Sequence, residues 1–351
     1  MKLAIVTSPE HSYLGWGTKT ESVKEVANVL RQADIEVSII NVSNNVDLQR
    51  ETDTIASADL VWPNVYHYDN NGIIDSLPKA LEGIGARLVG PTSKSLETVL
   101  LKDQCQAELL RSGVPVPRFV SINGESISDI SKLLSKANLT YPIIVKSAEG
   151  SISSGILPDS VKEIPSEVPR YVEQLRDAVN PRRILLEEYI DGPEFTVAVI
   201  GNGEKQRTYA VNTQIVDPIT AARKYVFMDG NMRPGCLKKG LVRLEPITDE
   251  VLLEKLADVA QQTCQALEIY DWTRFDGRLD SEGTPRIFDV NGMPGLSMDV
   301  SVTTHQFSSL YPNQTKEESM KGLVYSIAHS AAMRHGIEPT KELEKGALYL
   351  R

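Results

Sequence analysis

Cysteine is scarce in this chain: three in 351 residues, Cys105, Cys236 and Cys264, with no C-x-x-C pair. An odd, scattered set builds neither a disulfide framework nor a cysteine zinc site, and it fits free thiols in a reducing compartment. Each is read as a small buried apolar side chain. Histidine is sparse too, with five dispersed copies. No H-E-x-x-H or G-x-S-x-G occurs, which argues against zinc-protease and serine-hydrolase chemistry. The G-x-x-x-x-G-K-[ST] phosphate loop is missing, and Gly15-Trp16-Gly17 does not continue into a dinucleotide fingerprint. No apolar run approaches a membrane span, and "MKLAIVT" at the start is too short for a secretory signal. A cytoplasmic protein without a membrane partner is therefore expected. Positive charge is in deficit: the formal net charge is -10, with no block of one sign. A long polyanion would be repelled, so no nucleic acid partner is expected, although local lysines can still hold a small phosphate ligand.

What is present is ordinary for a globular protein, 41% hydrophobic and 24% charged. The length allows a substantial core and roughly two or three domains. Residues 3–7 read as a strand, Val23, Val26, Ala27 and Leu30 fall at helical spacing, and Glu36–Ile40 reads as a second strand. "ADLVWPNVY" and "GARLVG" read as further strands. Strands alternating with helices imply a parallel α/β sheet over about the first 90 residues. "GPTSKSLETVLLKDQCQAELLRSGVPVP" reads as one helix, opened by a Thr/Ser cap and closed by Gly113 and two prolines. From "YPIIVK" onward, short strands, glycine turns and hairpins indicate an α+β region, ending in a helix over roughly 316–335.

Three segments carry chemistry. In "YPIIVKSAEGSISSG" an apolar strand delivers Lys146 to a loop of Gly150, Gly155 and serines, where backbone N–H groups can cradle phosphate oxygens beside a point charge. By itself such a loop is more often a connector. In "ILLEEYIDGPEFTVAVIGNG" a buried run ends in Glu187-Glu188 and turns at Asp191-Gly192. A carboxylate there can accept from an amino group or from hydroxyls, or be a solvated acidic turn. The third segment is "TRFDGRLDSEGTPRIFDVNGMPG". Two strand-like runs flank the turn Asp280-Ser281-Glu282-Gly283, and side chains at i and i+2 share a face. Arg274 then lies beside Asp276, and Asp289 beside Asn291. If the runs pair as a hairpin, three oxygen ligands and one guanidinium face a single cavity; the alternative is a solvated outer face.

Taken in order, "LLKD" with Lys102, Lys146 and its loop, "EEYIDGPEFTV", and "RFDGRLD…IFDVNGMPGL" resemble the signature series of the ATP-grasp superfamily. The match is to its D-alanine–D-alanine ligase-like branch and spans roughly residues 85 to 335. The last two motifs are the specific ones. The resemblance implies an α/β and α+β ATP-grasp fold of three subdomains: a parallel α/β unit over 1–95, a central subdomain over 96–190 and a catalytic subdomain over 191–351. It implies ATP held between the second and third. Lys102 and Lys146 would contact phosphates, with Ser151 in a covering loop. Glu187 would meet the adenine amino group, Ile190 would supply backbone contacts and Glu194 would hold the ribose. Lys224 sits where the family's second lid loop sends a lysine to the γ-phosphate. Asp276, Asp289 and Asn291 would bind two Mg2+ ions, and Arg274 would steady a developing oxyanion. Hard oxygen ligands suit Mg2+, so the charged hairpin face reads best as a metal cradle.

The chain departs from the branch on the substrate side. The family's early serine-and-glutamate motif, which holds a substrate ammonium, is replaced by "SPEHSYLGWGTKTESVKEV", where Glu10 or Glu21 could stand in at a different spacing. The metal-site glutamate is Asp289 here. The serine that meets the second substrate's carboxylate falls on Val300, with Ser301 beside it, in "NGMPGLSMDVS". Tyr225 and Gly295 are the other substrate-side candidates. Phosphate chemistry retained beside rewritten pockets points to a specialised ligase joining an amino acid to a small-molecule acceptor. In length and layout the chain resembles the cyanobacterial mycosporine-glycine ligases, where serine or threonine is the incoming amine. The alternatives are a D-alanine–D-alanine ligase of cell-wall synthesis and a catalytically silent ATP-binding module. A homodimer is left open as the assembly.

Overall fold

The computed structural model describes residues 1–8, 20–150, 153, 155–230, 235–299 and 301–350. Three sheets and one short hairpin carry the architecture. The first sheet is parallel, with Lys2–Thr7 central between Glu36–Asn41 and Leu60–Pro63. The helix Thr20–Arg31 covers it with Val23, Val26, Ala27 and Leu30, the residues at helical spacing in the sequence. The run "GARLVG" contributes a single parallel bridge, Leu88 to Val61, rather than a full strand.

The second sheet is antiparallel, ordered Phe119–Ile122, Ile184–Glu188, Ile143–Ser147, Val161–Lys162. Helices Ile127–Ala137 and Val168–Val179 pack on one face through Ile130, Leu134, Val172 and Leu175. The third sheet has five antiparallel strands, ordered Val242–Pro246, Arg207–Ile215, Glu194–Ile200, Trp272–Leu279, Pro285–Asn291. Its central strand shows why one sheet can both bury a core and carry a site. Phe195, Val197 and Val199 face Leu256, Val259 and Ala260 of the helix Glu250–Ala266. On the other face Ala198 and Ile200 join the core that includes Leu323 and Val324 of the helix Lys316–Arg334, and the same face then turns polar at Thr196 and Glu194. Alternation places these residues together, and the helix covers only the apolar half.

The helix expected to run through "SKSLETVLLKDQCQAELLR" is two, Ser93–Leu100 and Lys102–Arg111. Leu101 between them is extended (φ -109°, ψ 100°) because it bridges Glu149, two residues past the strand Ile143–Ser147. Lys102 N–H then donates to Ala148 O at 2.8 Å. A tertiary backbone pairing overrides helix propensity at this residue and redirects Lys102.

Asp271, fully buried, ties the distant parts of the chain together. It accepts from Arg334 (2.6 Å), Asn202 (2.8 Å), Ser330 (3.2 Å) and the Gly90 N–H (2.9 Å). Arg334 in turn donates to Leu88 O at 2.7 Å. Asp271→Ala leaves the guanidinium and several donors without their acceptor, and is expected to lower unfolding free energy by about 3 kcal/mol in urea denaturation. A loss below about 0.5 kcal/mol would show that the staple is replaceable by water.

Candidate active site

The hairpin of the third sheet forms as its turn chemistry predicts, with Gly283 at φ +71° closing the turn on Asp280. Its register sets Arg274 opposite Asn291 and Asp276 opposite Asp289, followed by a bulge between Asp276 and Gly277. At Gly277 an added Cβ would lie 2.6 Å from Arg286 O and press on the Phe195 ring, so glycine is required by close approach.

Two carboxylates directly opposite on adjacent strands repel each other. Cations and hydroxyls offset this. Lys102 Nζ lies 2.8 Å from Asp289, and Arg274 Nη2 lies 3.2 Å from Asp276. Thr196 donates to Asp276 at 2.8 Å and so receives the proton of Thr213, also at 2.8 Å. Burial disfavours the Asp289 carboxylate, but Lys102, then Lys146 and Arg274, outweigh it and hold the group below its ordinary range. Asp289 is therefore an anion at neutral pH. Arg274 is 5% exposed, and its Nε has no hydrogen-bond partner among the described residues. A buried orphan donor in a cleft wall is a place for a ligand oxygen.

The second sheet supplies the facing wall. Lys146 and Glu187, buried on neighbouring strands, pair at 3.0 Å. Gln106, on the redirected helix, donates to Glu187 and to Phe288 O. Lys146 also lies over the Phe288 ring, 5.4 Å from its centroid. Lys102 reaches Gly150 O at 3.2 Å and so links the glycine loop to the hairpin. At the junction of the two sheets Arg278 holds Glu194 (2.9 Å), donates to Ile190 O (3.1 Å) and stacks on Tyr189 at 5.0 Å. Burial works against the Arg278 charge, yet Glu194 leaves its pKa raised.

These walls enclose one cleft of about 1320 Å³, its open mouth included. Lys102, Lys146, Glu187, Ile190, Glu194, Arg274, Asp276, Asp289 and Asn291 all line it, so nine of the sequence candidates are brought together. Its far end, past Thr196 and Thr213, is apolar, with Leu237, Val242, Leu244 and Val302. The remaining candidates lie elsewhere. Lys224 is exposed and pairs with Glu163 at 2.6 Å, a hydrogen bond that raises its pKa. Tyr225 packs edge-on against Tyr189 at 5.2 Å. Glu21 is exposed in the first turn of its helix. One turn on, Glu25 accepts from Met298 N–H at 3.1 Å in the loop after Asn291. Gly295 lines a separate small cavity with Trp62 and Trp272. The Ser301 hydroxyl bonds Gly295 O and caps the helix Val302–Leu310. Ser151, Glu10 and Val300 fall outside the described residues.

Sequence reasoning passed over Gln106, Arg278 and Phe288. Arg278 carried a usable signal, being two residues beyond Asp276 on the same strand face; Gln106 carried none, since it faces partners from two sheets.

No group of three or more His, Cys, Asp or Glu side chains gathers to hold a metal among the described residues, and no helix there is long and apolar enough to cross a membrane. The hairpin offers two carboxylates and one amide oxygen instead. That donor set suits a hard cation completing its shell with water and phosphate oxygens.

An antiparallel central sheet and a five-stranded sheet enclosing a lysine-lined and carboxylate-lined cleft constitute the ATP-grasp fold. Over residues 109–321, more than half of the chain, the sequence matches the model of the D-ala D-ala ligase C-terminus. The chain belongs to that family and is an ATP-grasp ligase, an enzyme that forms C–N bonds. It is similar to the D-alanine–D-alanine ligase B of Pseudomonas putida, 26% identical over 276 residues that make up 78% of this chain and 77% of the relative. The fold is shared with the D-alanine–D-alanine ligase of Bacillus anthracis complexed with ATP, at a TM-score of 0.68 and 16% identity over 96% of this chain and 99% of that one. It is shared also with the VanG D-Ala:D-Ser ligase of Enterococcus faecalis, at 0.63 and 16% identity over 94% and 99%.

The Lys146–Glu187 pair generates a test. Glu187→Leu strands a buried ammonium and is expected to cost about 3–5 kcal/mol in urea denaturation, while Lys146→Met/Glu187→Leu recovers most of it. A double variant as unstable as the single one would mean that packing, not charge, sets the loss.

Proposed function

We propose that this ligase uses ATP with Mg2+ to phosphorylate a substrate oxygen and joins an amino acid to the phosphorylated acceptor. The observation that carries the reading is the single cleft lined by Asp276, Asp289, Asn291, Lys146 and Glu187, with Arg274 in its wall and the buried Arg274 Nε without a hydrogen-bond partner among the described residues. Units over 1–95, 96–190 and 191–351 suit it, with ATP between the second and third. Ile190 and Phe288 would flank the adenine, Glu187 would meet its amino group and Glu194 the ribose, each already held by Arg278, Gln106 or Lys146. Lys102 and Lys146 would contact the phosphates, with Ser151 in the covering loop.

Asp276, Asp289 and Asn291 would hold the Mg2+, which neutralises charge on the phosphates. Arg274 would steady the oxyanion that develops as the amine adds to the phosphorylated acceptor. Lys224 would exchange Glu163 for the γ-phosphate, because a screened surface ion pair gives up little. The acceptor oxygen attacks the γ-phosphorus, ADP leaves, and the amine then displaces the phosphate. Positioning and electrostatics suffice for such a transfer, so no nucleophilic side chain is needed.

For the substrates, the lead reading is mycosporine-glycine with serine or threonine. The apolar far end at Leu237, Val242, Leu244 and Val302 favours an acceptor with a ring over the methyl of alanine. Neither the exposed Glu21 nor the engaged Ser301 offers the ammonium of a first D-alanine a partner among the described residues, and an acceptor without an ammonium needs none. A D-alanine–D-alanine ligase is the second reading, favoured by the relatives' activity. A silent ATP-binding module fits less well, since a binder has no use for Arg274 and the paired carboxylates.

Asp276→Asn and Asp289→Asn are each expected to abolish ADP release while the thermal transition is retained; turnover near wild-type at limiting Mg2+ would sink the metal assignment. For substrate choice, ADP release with D-alanine alone is expected to be on the order of 100-fold below that with serine or threonine plus mycosporine-glycine, the product identified by mass. Efficient D-alanyl-D-alanine formation would return the chain to cell-wall synthesis.

A further inference from the structure

Tyr66 follows the third strand of the parallel sheet, more than 200 residues from the hairpin, yet its hydroxyl reaches Asn291 at the hairpin's end. It is 5% exposed and packs with Leu96, Leu100 and Met293. Met293 N–H donates to the phenol oxygen at 2.9 Å, and the phenol proton is directed at Asn291 Oδ1, 3.3 Å away. Gly292 makes the approach possible. A Cβ there would stand 2.8 Å from Leu96 Cδ2 and 3.1 Å from Val99 Cγ2, so the side chains that pack beside Tyr66 would have to shift. The backbone after Asn291 and the side-chain amide itself are thus both gripped by one phenol.

An amide side chain has two faces, an oxygen that can ligate a cation and an NH2 that cannot. Donation from a phenol is accepted only by the oxygen, so Tyr66 selects the rotamer in which Oδ1 is held on its side of the cradle. The amide oxygen has two lone pairs, and one remains after the phenol has bonded. The hydrogen bond from the phenol also fixes the amide plane before any ligand arrives, at the last residue of the strand.

We propose that Tyr66 is a positioning residue for the cation site: it orients the Asn291 amide, so that the cradle is built jointly by the hairpin and the parallel α/β unit. The inference rests on the metal reading above. Its consequence is that movement of the parallel sheet relative to the hairpin changes the affinity for the cation as well as the shape of the cleft.

The test measures Mn2+ binding by electron paramagnetic resonance to the full chain with a non-hydrolysable ATP analogue, so no turnover is needed. Tyr66→Phe removes one oxygen and keeps the packed ring, and it is expected to weaken Mn2+ binding about 10-fold. In an Asn291→Ala background the same change is expected to add nothing, because its target is gone. Leu96→Ala loosens the same packing but keeps the hydroxyl, and is expected to bind Mn2+ within about twofold of wild-type; it also reads the effect of packing should Tyr66→Phe fold poorly. Wild-type affinity in Tyr66→Phe, an equal loss in Leu96→Ala, or a further full loss on top of Asn291→Ala would each overturn the proposal. A wild-type protein that takes up no Mn2+ would overturn the metal reading itself, and this inference with it.

Discussion

Two aspartates face each other across the strands of one hairpin, and the rest of the site is an answer to that repulsion. Asp276 and Asp289 are in register, where like charges destabilise a sheet. Lys102 and Arg274 supply the opposing charge, and Thr196 a hydrogen bond. Lys102 can do so only because the helix breaks at Leu101, and the break exists only because Leu101 pairs with Glu149. A concentrated negative charge is thus held ready by backbone geometry in the second sheet and the helices before it.

The same economy of contacts joins the two walls of the cleft. Arg278 leaves the hairpin face, binds Glu194 on the next strand and fixes the Ile190 carbonyl at the end of the second sheet. Gln106 does the equivalent on the other side, linking Glu187 to Phe288. On the parallel sheet's side, Tyr66 and Glu25 hold the loop after Asn291 at Met293 and Met298. In the proposed reading, that loop is where cation cradle and substrate pocket would meet.

Phosphate-side and substrate-side features diverge in character. The residues near the proposed phosphates are charged and paired within the cleft. The far end carries hydroxyls and then aliphatic side chains, along one face of the sheet from Asp276 through Thr196 and Thr213 to Leu244. A family that activates an oxygen with ATP can keep the first half unchanged and revise the second, because the chemistry resides in the former and recognition in the latter.

By itself the sequence determined which side chains share a face. Period-two alternation put Arg274 with Asp276 and Asp289 with Asn291, the turn at Gly283 made the hairpin, and an apolar strand marked Lys146 as the end of a buried run. These are local facts, set by backbone geometry over a few residues. Only the tertiary structure decided that Lys102 leaves its helix pattern, that Lys224 rests on Glu163, that Ser301 is spent on a helix cap, and that Gln106 and Tyr66 reach Glu187 and Asn291. Each of those depends on a partner far along the chain. Chain closure, which has no periodicity to read, decides which distant donor meets which acceptor.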